Sequence, residues 1–180
     1  AQLAGFVLAE GANFYENKGP QMAESVGRRP RGALFGWIAA HEADFYDADS
    51  AAEVGLLYSP RNRDLLDTVA GEPYAAEDSI HFAAYRAAAR ELYRSHVPLD
   101  VVLDTDVERF AQYRVLIAPN LDLMSEATAA ALRSFPGRLI TIGSTGRHDE
   151  WFSARPRGAL HERAQTHFKS AAPKLAAAAD

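Results

Sequence analysis

Polar side chains follow three short apolar runs of this chain, at the point where each run ends. They are Ser59, Arg61 and Asn62 after the first run, Asn120 after the second, and Ser144 and Thr145 after the third. Hydroxyl, amide and guanidinium groups in such loops hold anions and other small polar ligands. Trp151, a little further along, offers an aromatic ring on which a sugar could stack. These residues are the candidates for ligand binding.

The chain lacks the groups that would make these loops catalytic. It contains no cysteine, which excludes the thiol nucleophile of a glutamine amidotransferase as well as thiolate metal sites and disulfides. Gly143-Ser144-Thr145-Gly146 is not a G-x-S-x-G nucleophile elbow, because its second glycine stands at the wrong offset. Asn120 stands where a phosphoacceptor domain needs an aspartate. We therefore predict no catalytic residue in this chain.

The spacing of histidines and hydroxyl residues argues against a metal or a cofactor. His161 and His167 are six positions apart, so on the helix predicted there the two imidazoles would point to different faces. The loop after Tyr58 offers one serine followed by proline and arginine, whereas a flavin mononucleotide site needs several small hydroxyl residues. We expect no metal and no cofactor.

Acidic residues near the apolar runs have structural explanations. Asp100, Asp104 and Asp106 lie close in sequence, and paired carboxylates at the strand ends of a barrel hydrolyse glycosidic bonds. Roles in turns and helix caps account for these three aspartates. His148-Asp149-Glu150 is interpreted as a polar surface loop.

From residue 51 onward the pattern alternates between strand and helix. The predicted strands are Glu53–Tyr58, Leu99–Leu103, Arg114–Ala118 and Arg138–Ile142. The predicted helices are Ile80–His96, a short turn over Val107–Gln112, a helix capped by Ser125, and Leu160–Phe168, while Ser59–Ser79 is read as a polar loop. Such alternation predicts an α/β fold, a flavodoxin-like open and mainly parallel sheet with helices on both faces.

The chain divides into three parts by composition. Residues 1–48 form a helical N-terminal segment, with a helix over Gln2–Glu10, a short strand over Ala12–Tyr15, a loop to Arg31 and a helix over Ala33–Tyr46. Trp37 is assigned to the apolar face of that last helix and to the core. Residues 49–170 form the α/β domain, and residues 171–180 are an alanine-rich tail.

Bulk composition restricts the partners. A net charge of −5 argues against a nucleic-acid binder, which needs a basic face to meet phosphates. No apolar run approaches the length of about 18 residues typical of a transmembrane helix, so we expect no membrane partner. A cytoplasmic location is the default expectation.

Several segments, taken in their order along the chain, resemble a known family. They are Ala52-Glu53-Val54-Gly55-Leu56-Leu57-Tyr58-Ser59, Val97-Pro98-Leu99-Asp100-Val101-Val102, the run from Phe110 to Asn120, and Ser144-Thr145-Gly146 before Asp149-Glu150. Together they resemble the β-galactosidase trimerisation domain of glycoside hydrolases, in the class I glutamine-amidotransferase-like superfamily. Phe135-Pro136-Gly137-Arg138 departs from that family, which usually has a glycine pair there.

The resemblance extends upstream. Ala9-Glu10-Gly11-Ala12-Asn13 and the helix through His41-Glu42 resemble the end of the TIM barrel that precedes this domain in such hydrolases. It implies that the catalytic carboxylates lie on sequence outside this chain, and that the chain is a non-catalytic accessory and oligomerisation domain. Its expected partners are further copies of itself, the preceding barrel and carbohydrate. The alternatives are a stand-alone flavodoxin-like small-molecule-binding protein and a sugar-binding module.

Overall fold

The computed structural model describes residues 28–46, 49–69, 80–163 and 166–168. The chain forms two compact units, Ala1–Ser50 and Ala51–Asp180. The helix predicted over Gln2–Glu10, the strand predicted over Ala12–Tyr15 and the alanine-rich tail lie outside the described residues. Within those residues, no helix is both long enough and apolar enough to cross a membrane.

The described part of the first unit is helical from Arg28 onward. Helix α1 spans Arg28–Ala40 and the short helix α2 spans Glu42–Phe45, with a break at His41. The prediction of a loop up to Arg31 was therefore wrong at its end, because a proline at position 30 is tolerated in the first turn of a helix.

Trp37 on α1 is not a core residue, contrary to its prediction. Half of its surface is exposed. Its ring stacks on the imidazole of His41, with 4.6 Å between ring centroids. The His41 Nδ1–H donates to the Trp37 carbonyl at 2.8 Å, so both residues are organised within one helical turn.

The second unit contains the α/β fold. Its described elements are β1 (Val54–Tyr58), α3 (Pro60–Val69), α4 (Ile80–Arg94), β2 (Leu99–Leu103), a 3₁₀ helix (Val107–Gln112), β3 (Val115–Pro119), α5 (Glu126–Ser134), β4 (Arg138–Ile142) and β5 (Thr166–Phe168). The strands lie in the order β2-β1-β3-β4-β5 and every pairing is parallel. This confirms the predicted α/β fold.

The two faces of the sheet carry different helices. Leu57 and Val102 are paired neighbours on β1 and β2, and they share one buried cluster with Ala129 and Leu132 of α5. Helix α4 packs against β1 and β3. Because successive parallel connections are right-handed, the β1-to-β2 crossover places α4 on the face opposite α5. The sheet is thus covered on both sides.

Helix α3 was missing from the sequence-based prediction, which assigned its residues to a loop. Ser59 is the residue before the helix, and its Oγ accepts the Asn62 backbone N–H at 3.2 Å, while its carbonyl accepts from Arg63 N at 3.1 Å. Pro60 occupies the first helical position, where its missing N–H costs nothing. A serine followed by proline is typical of a helix start. The residues that follow are mostly polar, so the helix lacks a clear apolar stripe in the sequence.

Strand β5 replaces the end of a predicted helix. Leu160–Phe168 was expected to be helical, but Thr166–Phe168 pairs in parallel with Ile140–Ile142 of β4. Two of its three residues, Thr166 and Phe168, are of the β-branched and aromatic types that suit strands. His167 therefore lies on a strand and His161 in a turn, and not on one helix as predicted.

Candidate functional site

The strand order places the reversal of connectivity between β1 and β3. In open parallel sheets, ligands bind at the carboxyl ends of the strands beside this reversal. Here His81, from the first turn of α4, fills the crevice. The His81 side chain is completely buried. Its Nε2 accepts the Ser59 N–H at 2.9 Å, and its Nδ1–H donates to the Pro119 carbonyl at 2.7 Å. The imidazole thus joins the ends of β1 and β3.

Both hydrogen bonds require the neutral imidazole, since Nε2 must be an acceptor. The pKa of His81 is lowered from 6.5 to about 4, because burial, helped by the nearby charge of Arg63, outweighs the raising effect of the bond to Pro119. With both ring nitrogens engaged, His81 has no lone pair left to accept a proton from a substrate.

The candidates Ser59 and Asn62 are committed to the fold. Asn62 is fully buried and pairs with the backbone of Leu123 in both directions: its Nδ2 donates to the Leu123 carbonyl at 2.7 Å and its Oδ1 accepts the Leu123 N–H at 2.8 Å. The Nδ2 also donates to Ser59 Oγ at 2.9 Å. These bonds tie the start of α3 to the loop after β3.

Asn120 links three segments around the same crevice. It adopts a left-handed backbone with φ of 42°, a conformation that asparagine tolerates better than most residues. Its Nδ2 donates to the Ile80 carbonyl and its Oδ1 accepts the Ser144 N–H, each at 2.9 Å. The side chain thereby joins the start of α4 to the loop after β4.

A buried carboxylate, Asp122, organises the other side of this loop. Ser144 Oγ donates to its Oδ1 at 2.6 Å, Arg147 Nε donates at 3.1 Å, and His148 Nδ1 lies 3.2 Å from its Oδ2. Burial raises the pKa of Asp122, but the hydrogen bonds from Arg147 and Ser144 outweigh that effect and leave it below its usual range. Ser144 is bonded to the carboxylate and not to the imidazole, so these residues do not form a catalytic triad.

Thr145 lies in the same loop and differs from the other candidates. Its Oγ1 is buried and has no hydrogen-bond partner among the described residues. Next to it, Gly146 adopts a φ of 65°, and a Cβ there would lie 2.7 Å from the Ala159 Cβ. The loop after β4 is therefore closely packed around Thr145.

Arg61 and Trp151 are brought together on the rim of the crevice. The Arg61 guanidinium lies over the Trp151 ring, 5.6 Å from its centroid, and Arg61 Nη1 donates to the Glu150 carbonyl at 2.9 Å. Trp151 is 77% exposed. A groove of about 500 Å³ adjoins the pair, and Asp64, Leu65 and Phe152 complete its lining.

The loop carrying Trp151 is held in one conformation by Asp149. Its Oδ1 accepts the backbone N–H groups of Trp151 and Ser153, each at 2.8 Å, and its own N–H donates to the Ser153 carbonyl at 2.9 Å. These backbone donors, first that of Ser153, lower the pKa of Asp149, because they stabilise its carboxylate form. Phe152 adopts a φ of 68°, a strained value for a bulky residue.

Two residues that organise the crevice, His81 and Asp122, were not among the predicted site residues. In the sequence, His81 is only a polar residue between Ile80 and Phe82 at the start of a helix, and this pattern does not indicate a role at the strand ends. Asp122 stands two positions after Asn120 at the end of the same apolar run, and local sequence does not show that its carboxylate is buried. Within the described parts of the chain, no group of three or more histidine, cysteine, aspartate or glutamate side chains is arranged to hold a metal ion.

The comparisons with known proteins find likeness only among solved structures. No protein-family model matches the sequence, and no curated protein matches it. Among the solved structures that match are several β-galactosidases. The GH42 β-galactosidase Gan42B of G. stearothermophilus superposes with a TM-score of 0.56 at 27% identity, over 71% of this chain and 18% of that chain.

More distant β-galactosidases share the fold. The enzyme of Bacillus circulans sp. alkalophilus gives a TM-score of 0.60 at 22% identity, over 76% of this chain and 20% of its own. That of Rahnella sp. R3 gives 0.54 at 20% identity, over 73% and 20%. The chain thus spans about a fifth of the length of these structures. The likeness to Gan42B relates it to one domain of a β-galactosidase.

Proposed function

We propose that this chain acts as a non-catalytic accessory and oligomerisation domain of a β-galactosidase-like glycoside hydrolase, of the trimerisation type. The observation that carries the proposal is the likeness to Gan42B, which extends over most of this chain but a small part of that enzyme. A domain of this size, matched in the context of a longer enzyme, has its natural role beside a catalytic domain.

The geometry of the strand ends supports a structural role. The side chains of Ser59, Asn62, His81, Asn120 and Ser144 all bond to the chain itself around the crevice. Catalysis would require at least one of these groups to reach a substrate in a poised protonation state. Fixed polar networks of this kind instead provide a rigid body that can present surfaces to partners.

The edge strand β2 supplies a surface for self-association. Val101 is 46% exposed and Leu103 is 38% exposed, and both point away from the cluster that contains Val102. Apolar side chains on an edge strand are a common basis for pairing between chains. Further copies of this chain are the partner that the proposal assigns to this surface.

Light scattering on the purified chain tests the proposal. We expect a mass that is a multiple of the 19.6 kDa monomer, with three as the expected number, and no hydrolysis of a nitrophenyl galactoside. A monomer at high micromolar concentration would contradict the oligomerisation role. Turnover of the galactoside by this chain alone would contradict the accessory role.

A further inference from the structure

We infer that the groove beside Trp151 is a carbohydrate-binding subsite for a galactoside. Its walls come from the first turns of α3 and from the loop of residues 149–153, at the carboxyl edge of the sheet where parallel α/β folds place their ligands. His81 occupies the crevice at the strand reversal, whereas the groove beside Trp151, at the rim of the same edge, is open. The choice of galactosides over other sugars rests on the proposed function.

The Trp151 side chain is exposed and is also held in a defined position. Trp151 is 77% exposed, yet its backbone is fixed by Asp149 Oδ1 and its ring by the Arg61 guanidinium. Arg61 lies over one face of the indole, and most of the Trp151 surface remains exposed. A pyranose ring has an apolar patch of C–H groups that stacks on an exposed indole ring of this kind.

Polar groups beside the ring match the hydroxyls of a sugar. Asp64, Glu150 and Arg61 line the same groove, and these residue types carry hydrogen-bond acceptors and donors. The Asp64 side chain is held by Arg63, whose Nε lies 2.5 Å from its Oδ1. Charged acceptors and donors form the stronger hydrogen bonds with neutral hydroxyls. A volume of about 500 Å³ lies within the range of small-molecule sites.

Backbone strain at the tip of the loop points in the same direction. Phe152 adopts a φ of 68° although glycine would adopt it without strain. Strained residues that the surrounding structure holds in place are concentrated at binding sites. The strain here sets Phe152 into the wall of the groove next to Trp151.

The chain has two tryptophans, Trp37 and Trp151, which gives a matched test. Saturation-transfer NMR with lactose on the purified chain should show transfer to the galactose ring protons, saturable in the millimolar range. Trp151→Ala should abolish the transfer and Trp37→Ala should leave it unchanged. Both side chains are exposed, so neither change should unfold the protein. In W37F, the fluorescence of Trp151 alone should respond to lactose with the same midpoint.

Three results would overturn the inference. They are equal transfer in Trp151→Ala and the unchanged chain, no saturable transfer in either, and conversion of the oligomer to a monomer by Trp151→Ala, which would make the ring a protein interface. A failure of the proposed function would instead appear as a monomeric unchanged chain, whatever the sugar result. The two failures are therefore distinguishable.

Discussion

At the scale of single residues, His81 lies where parallel α/β folds usually bind a ligand, but here it stabilises the fold. Its imidazole bridges Ser59 and Pro119, and those bonds exist only in the neutral form. Protonation in the folded state would place an N–H against the Ser59 N–H in a buried setting. The stability of the fold is consequently coupled to the charge of this one ring.

The pH dependence of stability follows from the lowered pKa of His81. Between pH 6.5 and about 4, the unfolded chain binds a proton that the folded chain does not, so the free energy of unfolding falls as the pH falls through this window. The shift corresponds to roughly 3 kcal/mol, lost fully only below the folded pKa. Urea denaturation at about pH 7.5 and about pH 4.5 measures it.

Two variants separate this contribution from that of the carboxylates. His81→Gln retains a donor and an acceptor but does not titrate, so the fall in its unfolding free energy between the two pH values should be smaller by most of that amount. His96→Asn, at an exposed histidine with a φ of 54°, should keep the full dependence. Equal dependence in His81→Gln and the unchanged chain would show that His81 does not titrate as described.

Asn62 supplies a second prediction at this scale. Asn62→Ala leaves the buried N–H and carbonyl of Leu123 without partners, and each such loss costs about 1 to 3 kcal/mol. We expect the free energy of unfolding to fall by about 3 kcal/mol in urea denaturation. Arg61→Ala, one residue away but exposed, should change it by less than about 0.5 kcal/mol. A loss below about 1 kcal/mol in Asn62→Ala would mean that water replaces the amide.

The sequence located the polar residues of the crevice but not their roles. Ser59, Asn62, Asn120 and Ser144 were selected because they follow apolar runs, and they do lie at the strand ends. Their partners are distant in sequence: Asn62 bonds to Leu123, which lies 61 positions away. Local spacing carries no information on such pairings, so ligand-binding and structural amides look alike before the fold is known.

At the scale of elements, short buried strands were the most predictable part. β2 and β4 have the predicted bounds, because runs such as Leu99–Leu103 are bounded by proline and polar residues. α3 and β5 were missed, since α3 is polar and β5 has three residues. The conformation of β5 depends on its pairing with β4, which a local pattern does not contain.

The edge strand β2 carries a prediction about assembly. Val101→Lys combined with Leu103→Lys places two charges on the exposed face and should shift the oligomer to monomer in light scattering. Its far-UV circular dichroism spectrum should match that of the unchanged chain, because both side chains are exposed on the single chain. Its Tm should fall only by the stabilisation that association supplies.

A matched pair of charges provides the control for the β2 variant. Ala127→Lys with Ala130→Lys places two lysines on exposed positions of α5, on the opposite face of the sheet. This control should remain oligomeric. If the α5 variant dissociates and the β2 variant does not, the assembly surface lies on α5 instead.

At the scale of the whole molecule, the chain forms two compact units. The buried cluster of the α/β unit runs from Leu57 to Leu160 and draws on β1 to β4, the 3₁₀ helix and α5. A unit that contains its own core is expected to fold on its own. The position of the boundary between the predicted domains, at residues 48 and 49, stays a prediction.

Deletion of residues 1–50 tests the autonomy of the α/β unit. We expect the shortened chain to unfold in one cooperative transition, with a Tm within about 5 °C of the full chain, because a change of 1 kcal/mol shifts Tm by only a few degrees in a domain of this size. Circular dichroism on heating gives the comparison. Loss of the cooperative transition would show that the first unit is required for the fold.

The imidazole of His81 has a consequence for how this molecule can change. In other parallel α/β folds, the crevice between the strands at the reversal binds a small molecule. Here the His81 side chain occupies that crevice, and because the ring is attached to the backbone, its local concentration exceeds that of a dissolved metabolite. Any new small-molecule activity in that crevice would begin with the removal of the tethered ring. Because the removal of His81 would also destabilise the fold, a new binding activity is expected to arise more readily at the rim beside Trp151 than in the crevice itself.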